Sequence, residues 1–285
     1  MRRRPLERSR HRLRSLHINR MIPNVLTLLA LAAGLSSLRF ALDERWQVAL
    51  LALLAAAVLD ALDGRIARLL KGSSRFGAEL DSLSDFLCFG VAPALILYLW
   101  VLADAGRVGW ALVLVFCIAS ALRLARFNAD VDLPDPPPWH DNFFVGVPSP
   151  AGAGLVLMPM MLWFQVDAAW LRHPLLVGIV MVAIAALLVS RIRTYSFKKV
   201  RVPPELILPT MLAIGLYLAF LVSAPWTTLC LTGVVYLASI PFSSRAFQAL
   251  RQAHAGSTEM GSASGSSAAA TEVFHDRPPV QPPRD

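Results

Sequence analysis

The chain alternates long apolar blocks with short polar breaks. The blocks fall at 21–41, 47–70, 77–102, 108–127, 147–164, 175–190, 205–222 and 226–242. Each is close to the ~20 residues needed to cross a bilayer core as helix. The pattern predicts an all-α, polytopic integral membrane protein with about eight transmembrane helices. Residues 1–20 form a basic arm, 21–242 the transmembrane domain, and 243–285 a tail rich in Ser, Ala, Gly and Pro. The tail has no sustained apolar face and is expected to be disordered. Pro23 is expected in the first turn of the first span, where a missing N–H costs nothing. Four prolines, Pro134, Pro136, Pro137 and Pro138, argue against helix in the loop 128–143.

Composition agrees. Hydrophobic residues make up 56% and charged residues 16%, and the mean hydropathy is +0.55. The net charge of +8 is uneven, with eight arginines against Glu7 in the first twenty residues. No aromatics interleave with these arginines as they do in nucleic-acid binders. No nucleic-acid partner is expected, and membrane lipid at the cytoplasmic surface is the expected partner of the arm. Eight spans put both termini on one side, together with Arg191, Arg193, Lys198, Lys199 and Arg201. The opposite loops carry only Arg45, Arg107 and Arg172. The asymmetry predicts cytoplasmic termini. An Arg- and Ala-rich composition with few lysines suggests a bacterium, hence its inner membrane. The first apolar run lacks a small-residue cleavage site and is expected to remain as a span. Cys88, Cys117 and Cys230 sit in apolar runs without ligand spacing and read as small buried side chains.

Against this background one stretch stands out, DALDGRIARLLKGSSRFGAELDSLSD at 60–85. Asp60 and Asp63 are three apart, and Asp81 and Asp85 four apart. On helices both spacings put side chains on one face. Two helices joined by a loop at 71–76 would each present a pair of acids at the cytoplasmic interface. Acids within a membrane domain are costly and mark function. Carboxylates without His or Cys suit Mg²⁺ or Mn²⁺, and two such ions would stabilise a phosphoryl or pyrophosphate group. Gly64 and Ala67 leave space on the same face. Arg68, whose fork suits phosphate, lies one turn from Gly64, and Gly77 is one turn before Asp81. The alternative is a set of structural ion pairs with Arg65, Arg68 and Arg75.

The pattern D-x2-D-G-x2-A-R-x8-G-x3-D-x3-D, carried by Asp60, Asp63, Gly64, Ala67, Arg68, Gly77, Asp81 and Asp85, resembles the signature of the CDP-alcohol phosphatidyltransferase family. Stretches at 89–98, 123–128, 144–154 and 190–198 resemble its phosphatidylserine synthase branch. The resemblance covers roughly residues 21–200. It implies a membrane enzyme, commonly a homodimer, that transfers the phosphatidyl group of CDP-diacylglycerol to L-serine and releases CMP. It further implies that Asp60, Asp63, Asp81 and Asp85 bind two Mg²⁺ or Mn²⁺ ions, and that Asp85 is also the general base. Gly64, Ala67, Arg68 and Gly77 would meet the CDP donor, as would Ser74 and, in the first span, Asn24 and Thr27. Many members have Asn where this chain has Ala30 and Ser where it has Cys88.

A serine site needs a cation for the carboxylate. Arg123 and Arg126, three apart on one helix, together with Asn128 and with Ser149 of GVPSPAGAG, are the candidates for binding serine or the lipid phosphate. Positive-inside flanking and helix packing through small residues are the bland readings of these two stretches. Choline, glycerol 3-phosphate or an inositol phosphate are the other acceptors. A cation transporter is the rival from a different class, and clustering of the acids at one membrane face argues against it.

Overall fold

The computed structural model describes residues 6–70, 74–131, 143–190, 193–195 and 203–240. The proline-rich part of the loop, Arg191, Lys198, Lys199, Arg201 and the tail lie outside these residues.

The apolar blocks fold as helices. Helix α1 (Leu6–Leu42) runs through the first block, and α2 (Trp46–Leu69) returns beside it. Then come α3 (Arg75–Asp85), a π-helical turn (Phe86–Val91) and α4 (Ala92–Trp100), which together replace the single helix expected there. Helix α5 is Arg107–Val131, followed by α6 (Ser149–Val156), α7 (Met158–Val166), α8 (Pro174–Val189) and α9 (Ile207–Ser223). Helix α10 spans Pro225–Ile240. Among the described residues, five stretches are long and apolar enough to cross a membrane: Met21–Leu42, Trp46–Leu69, Arg75–Trp100, Arg107–Ala129 and Ser149–Val166. The helices α8, α9 and α10 are apolar but shorter.

Among the described residues the regular elements are helices apart from two three-residue strands. Strand β1 (Phe143–Val145) pairs antiparallel with β2 (Arg193–Tyr195), Phe144 opposite Thr194. Gly146 follows β1 with φ +78°, and a Cβ there would come within 2.9 Å of the Leu188 carbonyl oxygen. Glycine is therefore the residue that lets the chain leave the ladder and enter α6.

Several boundaries differ from expectation. Pro23 lies inside α1, not in its first turn, because the basic arm continues the helix from Leu6. The loop after α2 is shorter than 71–76, since Ser74 caps α3 and Arg75 and Phe76 are helical. Asn128 belongs to α5, which runs to Val131. The fifth span breaks at Leu157, where Pro159 cannot donate to the carbonyl four residues earlier.

The core lies between α4, α5, α6–α7 and α8, around Ile96, Leu97, Phe116, Met160, Met181 and Leu188, all almost fully buried. At one end Trp100, Trp163, Phe164 and Trp226 stack in sequence, with centroid distances of 5.8, 5.7 and 5.1 Å. The opposite end holds the acids.

Candidate active site

The ends of α2 and α3 face each other, and α1 closes the gap between them. Oxygens of Asp60, Asp63 and Asp81 lie within 4.8 Å of one another. Asp63 is 3% exposed, and the Thr27 hydroxyl donates to its Oδ2 at 2.6 Å. The Pro23 carbonyl is a second acceptor at 3.1 Å. Thr27 has one proton to give, and the charged acceptor makes the stronger bond. Among the described residues no arginine or lysine pairs with these acids, and the one ion pair is Arg39–Asp43 at 3.5 Å. Ion pairs with Arg65, Arg68 or Arg75 therefore do not explain the cluster. Converging carboxylates with no cationic side chain fit a hard divalent ion.

Asp85 stands apart from that trio. It lies near enough to Asp60, Asp81 and Arg123 for their charges to interact. The fourth acid thus joins the metal-type cluster to a different group of residues.

Beside the acids is a cleft of about 240 Å³. Every residue expected at the CDP donor lines it: Asn24, Thr27, Gly64, Ala67, Arg68, Ser74 and Gly77, with Asp63 and Asp81. Local structure accounts for several of these positions. Ser74 is the N-cap of α3, accepting from the Gly77 N–H at 3.0 Å, so the N-terminus of α3 opens on the cleft, an arrangement suited to phosphate. A Cβ at Gly77 would lie 2.7 Å from Asn24 Oδ1, so this glycine lets α1 and α3 touch. A Cβ at Gly64 would meet a guanidinium nitrogen of Arg68 at 3.8 Å, an ordinary van der Waals contact, so there is space for a small group there.

The four acceptor candidates separate. Arg123, 9% exposed, donates from Nε to the Val147 carbonyl at 3.0 Å and from a terminal nitrogen to Ser149 Oγ at 2.7 Å. Its guanidinium also lies 5.6 Å from the Phe127 ring centre. Arg126 instead donates to the Val189 carbonyl at 3.0 Å, at the end of α8. Asn128 donates to Ser82 Oγ at 2.9 Å and ties α5 to α3. Arg123 and Ser149 thus form one unit near Asp85, while Arg126 and Asn128 hold helix ends together.

Two participants had no signal in the sequence. The Val147 carbonyl is a backbone group that no motif names. Tyr236 of α10 lies within electrostatic reach of Arg123, and no spacing connects it to the acids. The two departures from the family pattern turn out to be neighbours, with Cys88 Sγ 3.5 Å from the Ala30 carbonyl.

Thr27 yields a direct expectation. Thr27→Val keeps the shape but removes the hydroxyl donor from Asp63. It should weaken metal affinity by about 10–100-fold, the usual effect of losing a partner that orients a ligand. Titrating Mg²⁺ or Mn²⁺ into the metal-free variant, with activity or calorimetry as readout, measures this.

Acids thus converge beside a small-residue cleft lined by Arg68, in a bundle of helices several of which are apolar enough to cross a membrane. The chain belongs to the CDP-alcohol phosphatidyltransferase family: the model of that family matches residues 20–191, and a second model, CDP-alcohol phosphatidyltransferase 2, matches 205–241. Similar proteins are named CDP-diacylglycerol–serine O-phosphatidyltransferase. One from Mycobacterium leprae is 40% identical over 78% of this chain and 74% of its own length. One from Mycobacterium tuberculosis is 37% identical over 81% of each chain, and one from Helicobacter pylori 38% identical over 64% of this chain and 74% of its own.

Proposed function

We propose that this chain transfers the phosphatidyl group of CDP-diacylglycerol to L-serine, forming phosphatidylserine and releasing CMP in phospholipid biosynthesis. The observation that carries the reading is the convergence of Asp60, Asp63 and Asp81 within 4.8 Å, with Asp63 and Asp81 in the lining of the adjoining cleft. The likeness to relatives of that name over about four fifths of the chain supports the acceptor.

The residues divide the work as follows. Asp60, Asp63 and Asp81 would hold Mg²⁺ or Mn²⁺, as two ions, which would draw charge from the donor pyrophosphate. Asn24, Ser74 and Arg68 line the cleft that receives the CDP part, and Gly64, Ala67 and Gly77 keep it open. Arg123, already fixed by Val147 and Ser149, retains donors for the serine carboxylate. That would set the serine hydroxyl beside Asp85, which accepts its proton. The serine oxygen then bonds to the phosphorus that carries diacylglycerol, and the bond from that phosphorus to the CMP oxygen breaks. Positioning and electrostatics supply the acceleration.

The proposal includes eight membrane crossings, with α8, α9 and α10 as the three shorter ones, and a cytoplasmic site in a bacterial inner membrane. The concentration of basic residues on one side supports this orientation. It also includes a homodimer, on the family resemblance, which cross-linking in membranes would test.

The deciding assay is CMP release from CDP-diacylglycerol with serine, choline, glycerol 3-phosphate or an inositol phosphate as acceptor. A site that pairs the charges of serine should favour it by ~100-fold or more. Equal release with another alcohol would overturn the choice of serine. No release with any would overturn the reaction class.

A further inference from the structure

A groove of about 760 Å³ lies at the aromatic end of the bundle, away from the acids. Its walls are α5 and α8, and Val108, Leu112, His173, Gly178, Ile179 and Val182 belong to its lining. Both helices begin at this end, at Arg107 and Pro174. A Cβ at Gly178 would come within 2.9 Å of Leu112 Cδ1, so the two helices are close at the bottom of the groove. Val108 and Ile179 are exposed, and the described residues leave the groove open. Its lining runs along α8 from Pro174 to Ala183, a length of about 14 Å. That is half the ~30 Å of a bilayer core. A groove one leaflet long suits an acyl chain of that leaflet, whereas a partner's transmembrane helix would continue through both.

The mouth carries charge of both signs. Arg172 ends the 3₁₀ turn Ala169–Arg172 and precedes His173. Its guanidinium lies 5.1 Å from the Trp163 ring centre and 5.9 Å from that of Trp100. Stacking on two rings holds the cation in place and leaves its N–H edge for an anion. Trp100 itself is 3% exposed, and its indole N–H is buried without an acceptor among the described residues. Buried donors are normally answered. An unanswered one beside a held cation calls for an acceptor from outside the chain. Asp104, in the turn Leu102–Ala105, precedes the lining residue Ala105. Arg172 and Asp104 are both exposed, and among the described residues neither is in an ion pair. A free cation and a free anion at one mouth complement a headgroup that carries both phosphate and ammonium.

We propose that this groove holds one phospholipid of the leaflet opposite the acids. The lipid is a zwitterionic aminophospholipid. Its phosphate meets Arg172, its ammonium meets Asp104, and one acyl chain lies along α8. The site is separate from the donor cleft, which lies at the other end of the bundle.

The test uses full-length protein in nanodiscs of phosphatidylglycerol, with a trace of phosphatidylethanolamine bearing a photoreactive diazirine in one chain. Adducts are expected on residues 108–112 and 175–183. Changing the background lipid to phosphatidylethanolamine should remove them, and adding CDP-diacylglycerol should not. Arg172→Gln should lower the labelling about tenfold, the worth of one charge-assisted hydrogen bond. Ile179→Trp, at an exposed position with room for the ring, should block it by filling the groove. Labelling indifferent to the background lipid, displacement by CDP-diacylglycerol, or adducts spread evenly onto α9 would overturn the proposal. So would unaltered labelling in both variants, or the absence of adducts on these segments because a second copy covers them.

Discussion

Asp85→Asn is expected to lower serine-dependent CMP release by about 10²–10⁴-fold, the usual worth of a positioned general base. The expectation comes from where Asp85 sits. It lies outside the trio whose oxygens converge, within electrostatic reach of both Asp60 and Arg123. Asparagine keeps the size and removes the proton acceptor. If Asp85 acts chiefly as a metal ligand, high Mg²⁺ or Mn²⁺ should recover much of the lost rate. If it is the base, no metal concentration recovers it. Near-normal phosphatidylserine formation by the purified variant would remove Asp85 from the chemistry.

Exhaustive chelation is expected to abolish activity, with Mg²⁺ or Mn²⁺ restoring it. Asp60, Asp63 and Asp81 converge without a lysine or arginine partner among the described residues. Carboxylates gathered so closely in an apolar bundle repel one another unless a cation joins them. The ligands are all oxygen, which suits hard ions with near-octahedral preferences. Replacing any of the three by alanine should raise the metal concentration needed for half-maximal activity, with Asp63, the most buried, most affected. Full turnover after EDTA treatment would refute the metal reading and leave the cluster without a physical account.

The acid stretch and the donor cleft were legible in the sequence because both depend on spacing along single helices. Asp60, Asp63, Gly64, Ala67 and Arg68 occupy one side of α2 wherever that helix lies, and the three-dimensional cleft follows once α1 and α3 pack against it. The acceptor region was less legible. Arg123 and Arg126 share a helix face, but three residues also separate them by about 4.5 Å along the axis. That offset takes Arg126 to the end of α8 at Val189 while Arg123 turns to Val147 and Ser149. The sequence contains no long-range cue for such a choice. Strands β1 and β2 escaped for the same reason, since three residues on each side carry no period. Pro23 lies within α1 rather than in its first turn, and proline in a first turn and proline within a longer helix look alike in a sequence until the start of the helix is known. The tie from Asn128 to Ser82 likewise depends on α5 outlasting its apolar block.

The π-helical turn Phe86–Val91 separates Asp85 from the apolar body of the third span. It changes how that span must be read. One residue in an α-helix is about 100° of rotation, so a wider turn acts as a phase shift between two gears on one shaft. Before it, Asp81 and Asp85 mesh with α2. Beyond it, Ile96 and Leu97 mesh with the core. Losing a single residue from 86–91 would leave every side chain in place by type and turn the acids away from their partners. Substitution scanning would not reveal that dependence, because the information lies in the number of residues between Asp85 and Ala92 rather than in their identities.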